Sequence, residues 1–133
     1  VLKTEVSVYS SYITYVNTTT GVRVSHEPRE GGVFVELARL VDGKIPEYPI
    51  FVTRDVPLHS FDVVNLVMLR KPEARIKQDN ERLLKDPAYL EDILTKYAEF
   101  VREYAADVLR GDFAVFDELA EIVYRRAENA GKS

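Results

Sequence analysis

The residues of this chain that could do chemistry are few and scattered. His26 stands beside Glu27, and His59 lies between Asp55 and Asp62. Drawn together, such groups could hold a metal or exchange protons. Their spacing contains neither HExxH nor HxxEH, so two ordinary surface or turn histidines are expected, with no metal site. The serines Ser7, Ser10, Ser11, Ser25 and Ser60 belong to no G-x-S-x-G elbow, which argues against an activated serine nucleophile. Six glycines form neither G-x-G-x-x-G nor a P-loop. No catalytic residue and no cofactor is assigned, and the motifs lean against an enzyme.

Carboxylates carry more of the signal. Asp112, Asp117 and Glu118 fall in the first turns of a helix, where the dipole stabilises negative charge. Glu99, Glu103 and Asp107 repeat every four residues on one helix, and Asp117 and Glu121 repeat the spacing on the next. Like charges so placed each cost roughly 0.2–0.5 kcal/mol. An acidic face that meets a basic protein partner is the functional reading; solubility is the plain one. Tyr9, Tyr12 and Tyr15 on one strand are the second interface clue, since exposed tyrosines favour protein contacts.

Charge is unevenly spread. The net charge is −4, yet residues 1–72 carry eight basic and eight acidic side chains. Residues 86–121 carry three basic and ten acidic ones. Phosphate contacts need the opposite sign, so nucleic acid is not an expected partner. There are no cysteines, which excludes disulfides and thiolate sites and favours a reducing compartment. The N-terminus lacks a basic start followed by an apolar run, and no stretch approaches the roughly 20 apolar residues of a membrane span. A soluble, cytoplasmic protein is expected.

The elements that would position these groups follow from periodicity. Thr4–Val16 reads as one strand with apolar bulk on both faces, ending at the turn Asn17–Gly21. Gly21–Glu27 alternates, and Pro28–Gly32 is a second turn. Val33–Val41 is a further strand, stopped by Asp42-Gly43, a strong hairpin signal. Tyr48–Arg54 reads as a strand, with Pro49 suiting an edge or a beginning. Phe61–Leu69 is apolar on every side and fits either a buried strand or a buried helix, with its valines leaning to strand. Glu73–Leu84 is a weak helix.

Asp86-Pro87 then supplies a cap and a first helical residue. Leu90, Ile93, Leu94, Tyr97, Val101, Tyr104, Ala105 and Val108 form one apolar stripe. Gly111 ends that helix, Asp112 caps the next, and Phe113, Phe116, Leu119, Ala120, Val123 and Ala127 make the second stripe.

Strands first and helices last predict a single α+β domain over 1–133. An antiparallel sheet of about four or five strands is packed by a C-terminal antiparallel helix hairpin. Three functions fit. The first is a non-enzymatic protein-binding module using the acidic helical face. By size and charge alone, an immunity- or antitoxin-like inhibitor of a basic partner has this form. The second is a small-ligand-binding protein or minor enzyme with a pocket between sheet and helices, drawing on His26, His59, Tyr97 or Tyr104. The third is a structural homo-oligomer such as a homodimer.

Overall fold

A computed structural model describes residues 2–6, 11–27 and 32–131. Five strands form one antiparallel sheet in sequence order: β1 (Leu2–Val6), β2 (Ser11–Val16), β3 (Thr20–His26), β4 (Val33–Arg39) and β5 (Ser60–Asp62). Helices follow: α1 (Val63–Arg70), α2 (Asn80–Lys85), α3 (Pro87–Tyr104), α4 (Ala106–Leu109) and α5 (Ala114–Ala130). This is the expected α+β arrangement. Among the described residues no helix is long and apolar enough to cross a membrane.

The register divides the sheet into two chemically different faces. Ile13, Val24 and Val35 lie opposite one another, as do Tyr15, Val22, Leu37 and Phe61. This face meets the helices. Val33, Val35, Leu37 and Phe61 are buried with Leu66, Ile93, Tyr97, Val108, Phe116 and Leu119. Phe61 and Phe116 meet edge to face with ring centroids 4.8 Å apart, the preferred geometry of paired aromatic quadrupoles. The opposite face carries Thr14, Arg23, Glu36 and Asp62 in one row.

Several boundaries differ from the sequence reading. The expected single strand over Thr4–Val16 is two strands, β1 and β2, paired with Leu2 opposite Tyr15. That run contains no Gly, Pro, Asn or Asp to mark a break, so its alternation reads as continuous. The strand expected at Tyr48–Arg54 is absent. Residues 40–59 instead form an irregular strap, with Ile50 and Phe51 92% and 81% exposed. Pro46 and Pro49 remove two donors that a ladder would need. Phe61–Leu69 is both alternatives in turn, three residues of strand and then α1. The helix stops before Pro72, as the ring demands. Glu73–Leu84 begins in a single 3-10 turn over Pro72–Ala74 and is α-helical only from Asn80.

The long C-terminal helix is interrupted at Ala105 and resumes as α4. Asp86 caps α3, accepting from the Ala88 and Tyr89 amides at 3.1 and 3.3 Å. Asp112 accepts from the Ala114 amide at 3.1 Å ahead of α5. Asp42 and Gly43 take positive φ in a two-residue turn closed by Val41 and Lys44.

The β2–β3 turn joins sheet to helices. Asn17 Oδ1 accepts from the Thr19 and Thr20 amides at 2.8 Å each, fixing the turn. Its amide nitrogen donates to the Leu109 carbonyl at 2.9 Å, and Thr20 Oγ1 donates to the Val108 carbonyl at 2.8 Å. The orphan carbonyls at the end of α4 are thus satisfied from the sheet. Gly111 follows at φ +92°, and a Cβ there would lie 3.0 Å from Thr19 Oγ1. Gly111→Ala is therefore expected to lower stability by about 1–2 kcal/mol. A denaturant midpoint shifted at constant m-value checks this.

Candidate functional site

The polar row is built by pairing. Arg23 on β3 lies opposite Glu36 on β4, and Glu36 lies opposite Asp62 on β5. Two carboxylates on adjacent strands therefore share one face. Ser25 and Ser60 face the same way from β3 and β5. With Tyr48 of the strap and Asn65 of α1, these groups line a cavity of about 320 Å³.

Of the two carboxylates, Asp62 is tied to the backbone. Asp62 ends β5 and caps α1, accepting from the Val64 amide at 2.8 Å. Arg23 is steered by Thr14, to whose Oγ1 it donates at 3.2 Å, and lies 4.7 Å over the Tyr12 ring. Among the described residues neither Glu36 nor Asp62 has a cation within 4 Å. Burial raises the Glu36 carboxyl above the ordinary carboxylate range; Arg23 opposes the shift and Asp62 adds to it. Burial likewise raises Asp62, against the pull of the Val64 amide. Burial and the neighbouring Glu36 also raise the Tyr48 phenol.

Two hydroxyls complete the lining. Ser25 and Ser60 are only 8% and 4% exposed. Neither side chain hydrogen-bonds to another described residue, which leaves both hydroxyls available to whatever enters the cavity. A carboxylate accepts and a carboxylic acid donates, so a raised-pKa pair beside free hydroxyls can bind an ammonium or a hydroxyl and move a proton.

A second cavity adjoins the first. It measures about 730 Å³ and shares Phe34, Asp62 and Asn65 with its neighbour. Arg75, Lys77, Gln78 and Arg126 line its far side. Gln78 also finishes the edge of β4: its Oε1 accepts from the Val33 amide at 2.8 Å, and its Nε2 donates to the Val33 carbonyl at 2.9 Å. A third, apolar cleft of about 450 Å³ separates β2 from α3, lined by Ile13, Tyr15, Leu94 and Val101 among others.

The expected site residues are dispersed. His26 lies opposite Val33 at one end of β4, whereas His59 bonds Arg39 at the other end. Six residues of strand, roughly 20 Å, lie between, so the two histidines share no site. Among the described residues no group of three His, Asp or Glu could hold a metal ion. Glu99, Glu103 and Asp117 are exposed on α3 and α5.

Asp107 and Glu121 are engaged within the chain. Asp107 takes two hydrogen bonds from Arg70, at 2.7 and 2.8 Å. These hold its carboxyl down to about 2. Glu121 is gripped by Arg54 and Arg125, whose hydrogen bonds bring it to about 2. The acidic face is therefore smaller than the spacing implies. Tyr12 sits under Arg23 and Tyr15 borders the apolar cleft; Tyr9 lies outside the described residues.

Glu36, Tyr48 and Asn65 were not singled out by sequence, and Asp62, Ser25 and Ser60 were weighed there only as a neighbour of His59 and as nucleophiles. The available signal was Glu36 amid VFVELAR and Asp62 amid SFDVV, single carboxylates inside otherwise apolar runs. Comparison with protein-family models, with curated proteins and with solved structures found no match to this chain.

Two expectations follow. A carboxyl whose folded pKa is raised contributes its stability below the unfolded value, and that contribution is lost as pH rises through the folded one. Glu36→Gln should therefore be more stable than the parent at neutral pH, with the difference vanishing in acid, as thermal melts across pH would record. For Asp107 the sign reverses. Asp107→Asn should lose about 1 kcal/mol above pH 5, and the loss should disappear as pH falls through about 2.

Proposed function

We propose that this protein binds a small polar ligand on the strap side of its sheet, with Glu36 and Asp62 as the recognition carboxylates. One observation carries the reading: two carboxylates with no cationic partner, and two hydroxyls with no hydrogen-bond partner, among the described residues are gathered around one cavity. Burying such groups costs free energy that a ligand's donors would offset. Of the expected functions, this is the small-ligand reading, with the polar groups of the sheet in place of His26, His59, Tyr97 or Tyr104 and with Asn65 of α1 and Val123 of α5 closing the cavity. The cavity volume suits a compact ligand, at about ten water volumes.

The acidic helical face is the second reading. It rests on Glu99, Glu103 and Asp117, which are exposed and have no ion pair among the described residues. Pull-down from host lysate at low and high salt separates the two. A partner that survives both high salt and Glu99→Lys with Glu103→Lys would count against it.

The ligand reading is tested with small amines. A ligand at a hundredfold excess over its Kd contributes about 2.7 kcal/mol. For a domain of this size that raises Tm by roughly 10 °C. Ethanolamine, putrescine and guanidinium should raise the Tm of the parent more than that of Glu36→Gln or Asp62→Asn. They should also move the amide resonances of Ser25, Glu36, Ser60 and Asp62. Equal shifts in parent and variants, or no resonance change, would sink the reading.

A further inference from the structure

The two polar cavities differ in charge along one continuous wall. Glu36 and Asp62 line the first, and the second adds Arg75, Lys77 and Arg126 to Asp62. Several exposed arginines are paired, Arg54 with Glu121, Arg70 with Asp107, Arg82 with Asp86, and Arg125 with Glu121, whereas Arg102 and Arg110 stand singly among the described residues, away from these two cavities. Arg75, Lys77 and Arg126 make no ion pair with any described residue. Unpaired cations are thus gathered beside the cavity whose other end holds unpaired carboxylates.

Asn65 joins the two ends. It lines both cavities, and its Oδ1 takes a hydrogen bond from Arg126 Nη1 at 3.0 Å. That uses one of five guanidinium donors and leaves the fork free. Asp62 and Asn65 are three residues apart, about one turn of α1 or 5 Å of rise. Asp62 and Arg126 are therefore linked through one helical turn and one hydrogen bond. The acidic pole is more than a pair of carboxylates. Ser25 and Ser60 beside it are each more than nine-tenths buried as residues, line the cavity and lack a described side-chain partner.

We propose that the two cavities form one binding site for a compact zwitterion, an ammonium joined by a short carbon linker to a carboxylate or phosphate. The ammonium lies against Glu36 and Asp62, with its third N–H donating a hydrogen bond to the Ser25 or Ser60 hydroxyl oxygen. The anionic group lies against Arg75, Lys77 and Arg126. Charge-assisted hydrogen bonds of about 2.8 Å at each end would hold such a ligand. This inference rests on the reading of Glu36 and Asp62 as a ligand-recognising pair.

Four probes test it on the full chain by NMR titration: ethanolamine, phosphoethanolamine, γ-aminobutyrate and inorganic phosphate. Phosphoethanolamine or γ-aminobutyrate should bind at least tenfold more tightly than ethanolamine, and whichever binds better identifies the anionic group. Arg75→Gln and Lys77→Gln, both at exposed positions, should abolish that advantage and leave ethanolamine binding unchanged. Ethanolamine binding with no zwitterion advantage, or an advantage that survives both substitutions, overturns the zwitterion and leaves the carboxylate site standing. Phosphate binding that matches phosphoethanolamine and persists in Glu36→Gln overturns it too. No response at Ser25, Glu36, Ser60 and Asp62 to any probe overturns both readings.

Discussion

The register of β4 is the constraint on which the rest depends. Leu37 lies opposite Val22 and Phe61, while its neighbour Glu36 lies opposite Arg23 and Asp62. A slip of one residue would exchange the faces, putting carboxylates into the core and valines into the cleft. The register is pinned at both ends of the strand. Gln78 supplies the beginning of β4 with the hydrogen bonds of a missing neighbour. At the far end the Arg39 amide donates to the His59 carbonyl at 2.7 Å, and the Leu40 amide to the Thr19 carbonyl at 2.9 Å. The apolar stripes of α1, α3 and α5 then have one face on which to pack.

The polar face survives because its costs are shared among several elements. Arg23 moderates the charge of Glu36 without meeting it, and the α1 amide moderates that of Asp62. The strap is fastened at its end: Arg54 bridges Glu121 and Glu128, and Tyr124 donates to the Val56 carbonyl at 2.6 Å. These contacts carry Tyr48 to the mouth of the cleft from a segment with almost no ladder bonds of its own. A fold that minimised free energy alone would place apolar side chains where Glu36 and Asp62 stand.

Fold class was readable because period and caps are local. The Asp86-Pro87 start, the Gly111 stop and the Asp42-Gly43 turn all lie within a few residues of what they specify. The misread segments depend on distant partners. Thr4–Val16 looks like one strand until pairing folds it in two. Tyr48–Arg54 has the composition of a strand, yet prolines and contacts to α5 make it a strap. Phe61–Leu69 changes from strand to helix at Asp62, and no window average resolves a three-residue strand. The cleft was illegible for the same reason. Glu36, Asp62, Ser25 and Arg75 span fifty positions, and each alone resembles an ordinary solvated residue. The acidic helix positions were visible, but not that Arg54 and Arg70 would reach across to occupy two of them.

Asp62 occupies three offices at once: last residue of β5, cap of α1 and wall of both cavities. A chain with separate residues for these tasks could change its ligand while keeping its architecture. Here they are inherited together. A drift that re-tunes recognition also loosens the strand-to-helix junction, and one that strengthens the junction alters what the cleft accepts. Divergence among descendants of this fold should therefore proceed around Asp62, through the strap and the cationic rim, and only rarely through it.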